Sequence, residues 1–463
     1  MRLGRFAQRA VLLLIISILW AMPLAAQPFR FTELERVVLA ELAETKTPGA
    51  ALAIVQGDRI IYAKGFGAAN VETGQAVSAE MLFRIGSMTK MYTAAALVQL
   101  AEEGKLDLNA PIGRYLEGLP PRLSSVTAHH LLSHTAGLAD AASLFGRHDE
   151  SALAAQVREY NDSHLFSEPG AIFSYANPGF VIAGHLVERL SGKPYSEVVK
   201  ARVLKPLGMT RSTFQPTLAM TYPFSVGHAG APDQPATVLR PMEDNAATWP
   251  AGFLFSNTTD LARFAIAFMH GGRIDGKQVL SPSLIERLSG AVAPVRSQVE
   301  GGSYGYGLMV RTHRGVRLVE HGGTMTGFAS DFAMAPEQKV AVIVLANRRT
   351  HLMKTVEKAF ELMLPLAPKA EDPKPLEFTS RELDEYAGRY GQRPGAGVEL
   401  VRTENGLALK TGSAQAPLTK IGTDVFTVRL PGFSEPLRLA IVRGADGRIQ
   451  YLHNRLRALR RLN

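Results

Sequence analysis

Ser87 and Lys90 constrain this chain more than any other pair of residues, because their spacing places a nucleophile and a base one helical turn apart. Side chains three positions apart lie on the same face of a helix. The largely apolar run 91–103 predicts that helix, and Gly104 is expected to end it. Ser87 would then lie at the helix N-terminus, where backbone N–H groups stabilise developing negative charge.

The S-x-x-K pattern has a definite chemical requirement. A serine is a weak nucleophile near neutral pH unless a neighbouring group takes its proton. A lysine can be that group only if burial or a second cation lowers its pKa. The pattern is short, however, and a serine that caps a buried helix is the alternative interpretation. The prediction of an active site therefore depends on further motifs.

A second motif, Tyr175-Ala176-Asn177, follows a Glu168-Pro169-Gly170 turn and precedes a predicted helix over 180–190. Tyr175 can relay a proton, and Asn177 can hydrogen-bond both a substrate amide and the lysine. Taken alone, an ordinary turn before a helix explains these residues better.

A third motif, His321-Gly322-Gly323, lies between runs that predict strands over 315–320 and 329–335. Glycines at a strand edge often mark a place where a ligand approaches the backbone. A bulge beside a structural histidine is an equally good explanation of this motif alone.

The order of the three motifs changes that balance, because it resembles the serine β-lactamase and penicillin-binding-protein superfamily. The H-x-G version is similar to the class C β-lactamase branch, which includes D-alanyl-D-alanine carboxypeptidases, D-amino-acid peptidases and family VIII esterases. The resemblance extends over about residues 30–365. Other segments that carry it are Leu131–Leu138 (LLSHTAGL), Pro206–Met209, Ala251–Phe264 and Gly305–Leu308.

The resemblance implies an α+β fold, in which an antiparallel sheet flanked by helices lies next to an all-α lobe with the site between them. It implies that Ser87 forms an acyl-enzyme while Lys90 and Tyr175 share the proton transfers, and it leaves open which of the two is the base. The backbone N–H groups of Ser87 and Thr324 would form the oxyanion hole. The substrate-binding residues that it implies are Asn177, His321, Gly323 and Thr324. No cofactor is implied.

One departure from the family pattern bears on the substrate. Many relatives carry K-T-G, whose lysine and threonine help to hold a substrate carboxylate, where this chain has H-G-G. His321 would be mostly neutral at pH 7, and Gly322 has no side chain. We therefore expect an ester or peptide hydrolase, with D-residues among the possible substrates. The alternatives are a β-lactamase or D-alanyl-D-alanine carboxypeptidase and, from another class, a catalytically inactive binding protein with this fold.

Other titratable residues favour structural roles. His129, His130 and His134 lack the H-E-x-x-H spacing of a zinc site, so we expect no metal there, with His134 holding a loop near the site. Glu168 belongs to a turn and is also interpreted as structural.

The N-terminus has the pattern of an export signal over residues 1–26. Arg2, Arg5 and Arg9 precede an apolar core over 10–24, and cleavage is expected near Ala26. An uncleaved anchor is the alternative, although the core is shorter than the ~20 residues that span a bilayer. The chain has no cysteine, which excludes disulfides and thiol catalysis. We expect a periplasmic or secreted bacterial protein, without nucleic-acid partners and without a stable membrane span after cleavage.

With 463 residues, the chain is long enough for two domains. We expect the hydrolase domain over 27–365, a proline-rich linker over 366–375 and a second domain over 376–463. Short alternating runs and tight turns in the last segment predict a small all-β barrel, and the segment resembles a lipocalin-like domain. The basic run Arg455–Leu462 is interpreted as the last strand. The expected partner is a small-molecule or peptide substrate.

Overall fold

The structure, a computed structural model, describes residues 31–149, 151–230, 234–297, 301–393, 395–404, 406–430 and 436–462. The predicted signal segment 1–26 lies outside these residues. Within them, no helix is both long and apolar enough to cross a membrane.

A nine-stranded antiparallel sheet forms the centre of the first domain among the described residues. Its strands are β1 (Gly49–Gln56), β2 (Arg59–Asn70), β3 (Gln75–Ala76), β10 (Ala293–Pro294), β11 (Ser303–Tyr304), β12 (Met309–His313), β13 (Val316–Met325), β14 (Phe328–Ala335) and β15 (Val340–Ala346). They lie side by side in the order β10-β11-β12-β13-β14-β15-β1-β2-β3. Strands β1 and β15 are almost continuously apolar, and both are buried along nearly their whole length. Three two-stranded ladders accompany them: β4 (Phe83–Arg84) with β7 (Phe255–Ser256), β5 (His228–Ala229) with β6 (Thr237–Val238), and β8 (Arg273–Ile274) with β9 (Lys277–Gln278).

Alternation along β1 divides the core into two layers, because successive side chains in a strand point to opposite faces. Leu52 and Ile54 pack with helices α1 (Thr32–Thr45) and α13 (Met353–Met363). Ala53 and Val55 face the larger helical lobe. The helices of this lobe and its surroundings are α2 (Thr89–Glu102), α3 (Pro121–Ser124), α4 (Ala128–Leu132), α5 (Ala152–Glu159), α6 (Asn177–Ser191), α7 (Tyr195–Val199), α8 (Lys205–Leu207), α9 (Pro216–Ala219), α10 (Trp249–Gly252), α11 (Thr258–Met269) and α12 (Pro282–Ser289).

The C-terminal region contains a short helix, α14 (Ser380–Tyr386), and in its described residues eight antiparallel strands form a closed barrel. The last strand pairs with the first, so the barrel leaves no open sheet edge. The strands are β16 (Gly388–Arg393), β17 (Ala396–Thr403), β18 (Gly406–Thr411), β19 (Ala414–Gly422), β20 (Val425–Val428), β21 (Leu437–Arg443), β22 (Ile449–Asn454) and β23 (Arg457–Leu462).

These elements confirm the predicted α+β fold and the all-β barrel that follows it. One local prediction differs from the structure. His321-Gly322-Gly323 lies inside the continuous strand β13 rather than between strands, because the ladder with β14 runs through all three residues. Strands β16 and β19 of the barrel have no clear alternating pattern in the sequence, and Pro417 with several polar residues interrupts that of β19.

Candidate active site

Ser87 lies in a single 3₁₀ turn, Gly86–Met88, immediately before α2. The backbone of Gly86 is left-handed, with φ of 53°, and a Cβ there would lie 2.8 Å from the backbone N of Thr324. Glycine is therefore required at this position both by conformation and by space. A backbone hydrogen bond anchors the residue before this turn, since the Ile85 N–H donates to the Leu254 carbonyl over 3.0 Å. Ser87 is thus held directly against strand β13.

Lys90 is fully buried one turn along α2, and its Nζ lies 3.1 Å from Ser87 Oγ. Its two other partners are Asn177 Oδ1 at 2.8 Å and the Ala251 carbonyl at 2.5 Å. Burial lowers the pKa of Lys90 to about 7, so much of the amine is neutral at neutral pH. A neutral amine has two N–H groups and one lone pair. Because the two carbonyl oxygens can only accept hydrogen bonds, the lone pair faces the serine hydroxyl.

Tyr175 is buried beside Lys90, whose Nζ lies 4.8 Å from the centre of the phenol ring. The Tyr175 hydroxyl has no hydrogen-bond partner among the described residues, although Ser87 is close enough to lower its pKa against the larger effect of burial. The net result is a raised pKa, so the phenol keeps its proton at neutral pH. Tyr175 is therefore arranged to donate a proton, whereas Lys90 is arranged to accept one.

Strand β13 brings the third motif to the nucleophile at very short range. A Cβ at Gly323 would lie 1.9 Å from the Ile85 carbonyl and 2.4 Å from Ser330 Oγ, so only glycine fits there. His321 is buried, its Nε2 is 3.0 Å from the Tyr304 hydroxyl, and its ring centre is 6.2 Å from that of Tyr175. Burial and the charge of Lys90 lower the pKa of His321 to about 3. The histidine is thus neutral at pH 7, as the sequence predicted.

Thr324, the next residue, belongs to a hydrogen-bonded chain that the sequence did not indicate. Its Oγ1 is 2.9 Å from His351 Nε2, and His351 Nδ1 is 2.8 Å from Asp331 Oδ1. A Cβ at Gly322 would lie 3.5 Å from His351 Cε1, so the imidazole is at van der Waals contact distance from the position of a side chain at residue 322. Burial lowers the pKa of His351, but Asp331 outweighs this effect and the net pKa is raised.

The remaining predicted residues lie around this centre. His134 is buried, and its Nδ1 accepts from the Ala176 N–H over 3.1 Å. Its ring centre lies 4.1 Å from that of Tyr175, with the two rings tilted by 36°, which agrees with a role in holding the Tyr175 segment. His130 caps α4. Glu168 is exposed and pairs with Arg122 over 2.6 Å.

Asp140 and Arg457 are further site residues that sequence reasoning missed. Asp140 Oδ1 accepts from both the backbone N–H and the side-chain Nδ2 of Asn177, at 2.8 and 3.0 Å. Its other oxygen, Oδ2, is paired with Arg457 of the barrel. Asp140 follows the motif segment Leu131–Leu138 by two positions, which could have drawn attention to it. Nothing in the local pattern of β23 distinguishes Arg457 from the other arginines of that strand.

Comparison with known proteins agrees with this geometry. Residues 34–363 match the protein family described as Beta-lactamase. Penicillin-binding protein 4 of Amycolatopsis lactamdurans is 30% identical over 322 residues, which are 66% of this chain and 82% of that protein. The solved structure of SurE is 25% identical with a TM-score of 0.75, and it covers 94% of this chain and 100% of its own. The octameric penicillin-binding protein homologue from Pyrococcus abyssi is 27% identical with a TM-score of 0.67, covering 92% and 99%.

The family match extends over most of the first domain and more than half of the chain. The protein therefore belongs to the Beta-lactamase family, within the hydrolase superfamily of serine β-lactamases and penicillin-binding proteins. Both structural matches also extend over more than nine-tenths of the chain, so the likeness includes the barrel region as well as the hydrolase domain.

Proposed function

We propose that this protein is an exported serine hydrolase that forms an acyl-enzyme on Ser87 and cleaves esters or peptide and amide bonds, including those of peptides with D-residues. The observation that carries the proposal is the environment of Lys90. A fully buried lysine with a pKa of about 7, two fixed acceptors and a lone pair directed at Ser87 Oγ is a base prepared for that hydroxyl.

In the proposed reaction, Ser87 Oγ attacks the substrate carbonyl while its proton passes to Lys90. The oxyanion that forms is held by the backbone N–H groups of Ser87 and Thr324, which lie on adjacent segments. Such a donor typically supplies about 3–4 kcal/mol of transition-state stabilisation. Tyr175, protonated and close to Ser87, passes a proton to the departing alcohol or amine and is reprotonated from Lys90. In the second half of the reaction, Tyr175 passes its proton to Lys90 and accepts one from the attacking water. Lys90 then returns a proton to Ser87 Oγ as the Ser87 ester bond breaks and the acid leaves.

The neutral state of His321 supports the choice of substrate. A histidine with a pKa of about 3 supplies no positive charge at the motif position where many relatives carry lysine. Tight binding of a substrate carboxylate at this position of β13 is therefore not expected. This favours ester and peptide substrates over β-lactams, whose recognition in relatives uses that lysine.

The experiment compares the wild-type protein with Ser87→Ala on a short-chain p-nitrophenyl ester, a chromogenic cephalosporin and a peptide ending in D-alanine. Turnover of the ester or peptide that disappears in Ser87→Ala supports the proposal. A preference for the cephalosporin replaces it with β-lactamase activity. Equal non-zero rates for both proteins contradict the role of Ser87, and no turnover of any substrate by either protein favours a binding protein.

The export part of the proposal rests on the sequence of residues 1–26 alone, with its arginines followed by an apolar core. Sequencing the N-terminus of the protein recovered from the periplasmic or culture fraction tests it. A mature chain that starts near residue 27 supports cleavage, whereas an intact N-terminus in the membrane fraction supports the anchor.

A further inference from the structure

The barrel contacts the segment that carries Tyr175 through its last hairpin, formed by β22 and β23. The Tyr175 N–H donates to the Leu456 carbonyl over 2.8 Å, and the Ala458 N–H donates to Ser174 Oγ over 3.2 Å. His453, buried in the same hairpin, lies 3.1 Å from the Phe173 carbonyl. Three consecutive residues of the hydrolase domain are thus hydrogen-bonded to one hairpin of the second domain.

Arg457 extends this contact to the catalytic lysine through two intermediate side chains. Its Nε lies 3.0 Å from Asp140 Oδ2, and a second guanidinium nitrogen donates to the same oxygen. Asp140 Oδ1 accepts from Asn177 Nδ2, and Asn177 Oδ1 accepts from Lys90 Nζ. A carboxylate can only accept hydrogen bonds, so Asp140 fixes which end of the Asn177 amide faces Lys90. If that amide were reversed, its N–H groups would oppose those of Lys90.

The charges of Asp140 and Arg457 also affect the pKa of Lys90. Burial is the largest influence on the pKa of Lys90, and after it Asp140 raises this pKa while Arg457 lowers it. Among the described residues, the titratable and charged groups that face Lys90 are Tyr175, His134, His321, Asp140 and Arg457. Burial keeps both histidines neutral and the tyrosine protonated at neutral pH. Arg457 is thus the cation that offsets the Asp140 carboxylate.

We propose that Arg457 is a positioning residue of the hydrolase active site, supplied by the C-terminal barrel, which holds Asp140 and Asn177 in place and offsets the Asp140 charge so that Lys90 can act as a neutral base. This inference rests on the proposed function, and it makes the barrel a part of the active site. Arg457 takes no part in bond making. Its contribution is the orientation of the Asn177 amide and the compensation of the partly buried Asp140 charge.

The test uses the full chain with Arg457→Gln, Arg457→Lys and the matched control Arg460→Gln, which removes an exposed arginine from the same strand. The readout is the pH dependence of kcat and KM on the substrate found for the wild type. In Arg457→Gln the uncompensated Asp140 favours protonated Lys90. We therefore expect kcat to fall several-fold at pH 7, to recover towards pH 9 and to leave KM nearly unchanged. Arg457→Lys should restore most of the neutral-pH activity.

A double-mutant cycle separates this role from simple loss of structure. Once Asp140→Asn has removed the carboxylate, Arg457→Gln should have little further effect on kcat or on the pH profile. The proposal is overturned if Arg457→Gln keeps the profile of Arg460→Gln, or if its effect is equally large with and without Asp140. These comparisons require an active wild-type enzyme. If the wild type shows no turnover that depends on Ser87, that result counts against the proposed function and not against the role of Arg457.

Discussion

Gly323→Ala is the substitution that tests the contact between strand β13 and the nucleophile turn most sharply. A Cβ at residue 323 would lie 1.9 Å from the Ile85 carbonyl oxygen and 2.4 Å from Ser330 Oγ. Unstrained contacts of this kind need about 3.5 Å, so the strand and the turn must separate by about 1.5 Å. Neither neighbour can move easily, because the Ile85 carbonyl is backbone and also accepts from Ser330 Oγ over 2.8 Å.

Two consequences of this separation can be measured. Overpacking of this kind typically costs about 1–3 kcal/mol of unfolding free energy, which corresponds to a fall of several degrees in Tm. The displacement also moves the Thr324 N–H away from Ser87. Loss of one oxyanion donor typically lowers kcat by about 10²–10³-fold. Thermal unfolding by circular dichroism and the rate of Ser87 phosphonylation by a fluorophosphonate measure the two effects separately.

Gly322→Ala provides the matched control, since it adds the same methyl group one residue earlier on the opposite face of the strand. There the new Cβ lies 3.5 Å from His351 Cε1, which is an ordinary contact. We expect the Tm and the phosphonylation rate of this variant to stay close to those of the wild type. If Gly323→Ala behaves as Gly322→Ala does in both assays, the claim that β13 packs closely against the Ser87 turn is wrong.

Three other predictions concern charge. In the wild type, kcat/KM should rise with pH through about 7, because neutral Lys90 is the active base, and a pH–rate profile without that limb would exclude this role. The unfolding free energy should fall as pH drops below about 6.5, because burial lowers the folded pKa values of His321 and His453 to about 3 and about 4, so that these residues take up protons first in the unfolded chain. Urea titrations at pH 7, 6 and 5 should therefore show progressively lower unfolding midpoints. Asp244→Ala should destabilise the fold by about 3–5 kcal/mol, because Arg84, 1% exposed and 3.1 Å from Asp244, would keep a buried charge without its counter-ion; a loss below 1 kcal/mol by chemical denaturation would contradict this.

The parts of the fold that the sequence predicted well are those with local signals. The strand predicted over 329–335, the glycine-bounded helix after Ser87 and the alternating segments of the barrel each carry their signal in consecutive residues. The extent of β13 was underestimated, because the two glycines of the motif contribute no side-chain pattern. The strand continues through these glycines because their backbone pairs with β14.

The residues proposed for catalysis could be picked out for a similar reason, since Ser87, Lys90 and Tyr175 lie in short motifs with a fixed order. Asp140 and Arg457 could not be picked out, because the contact between them depends on how the barrel is placed against the hydrolase domain. His351 was missed because its partners, Thr324 and Asp331, come from two paired strands. No local pattern of charge or hydropathy encodes such contacts between distant segments.

The direct test of the central claim is covalent labelling of Ser87 followed by mass spectrometry. Wild-type protein treated with a fluorophosphonate should gain the mass of one adduct, and the peptide that contains Ser87 should carry it. Ser87→Ala should gain none, and Lys90→Met should label far more slowly because it lacks the base. An unlabelled wild-type protein, or an adduct that persists in Ser87→Ala, would contradict the assignment of Ser87 as the nucleophile.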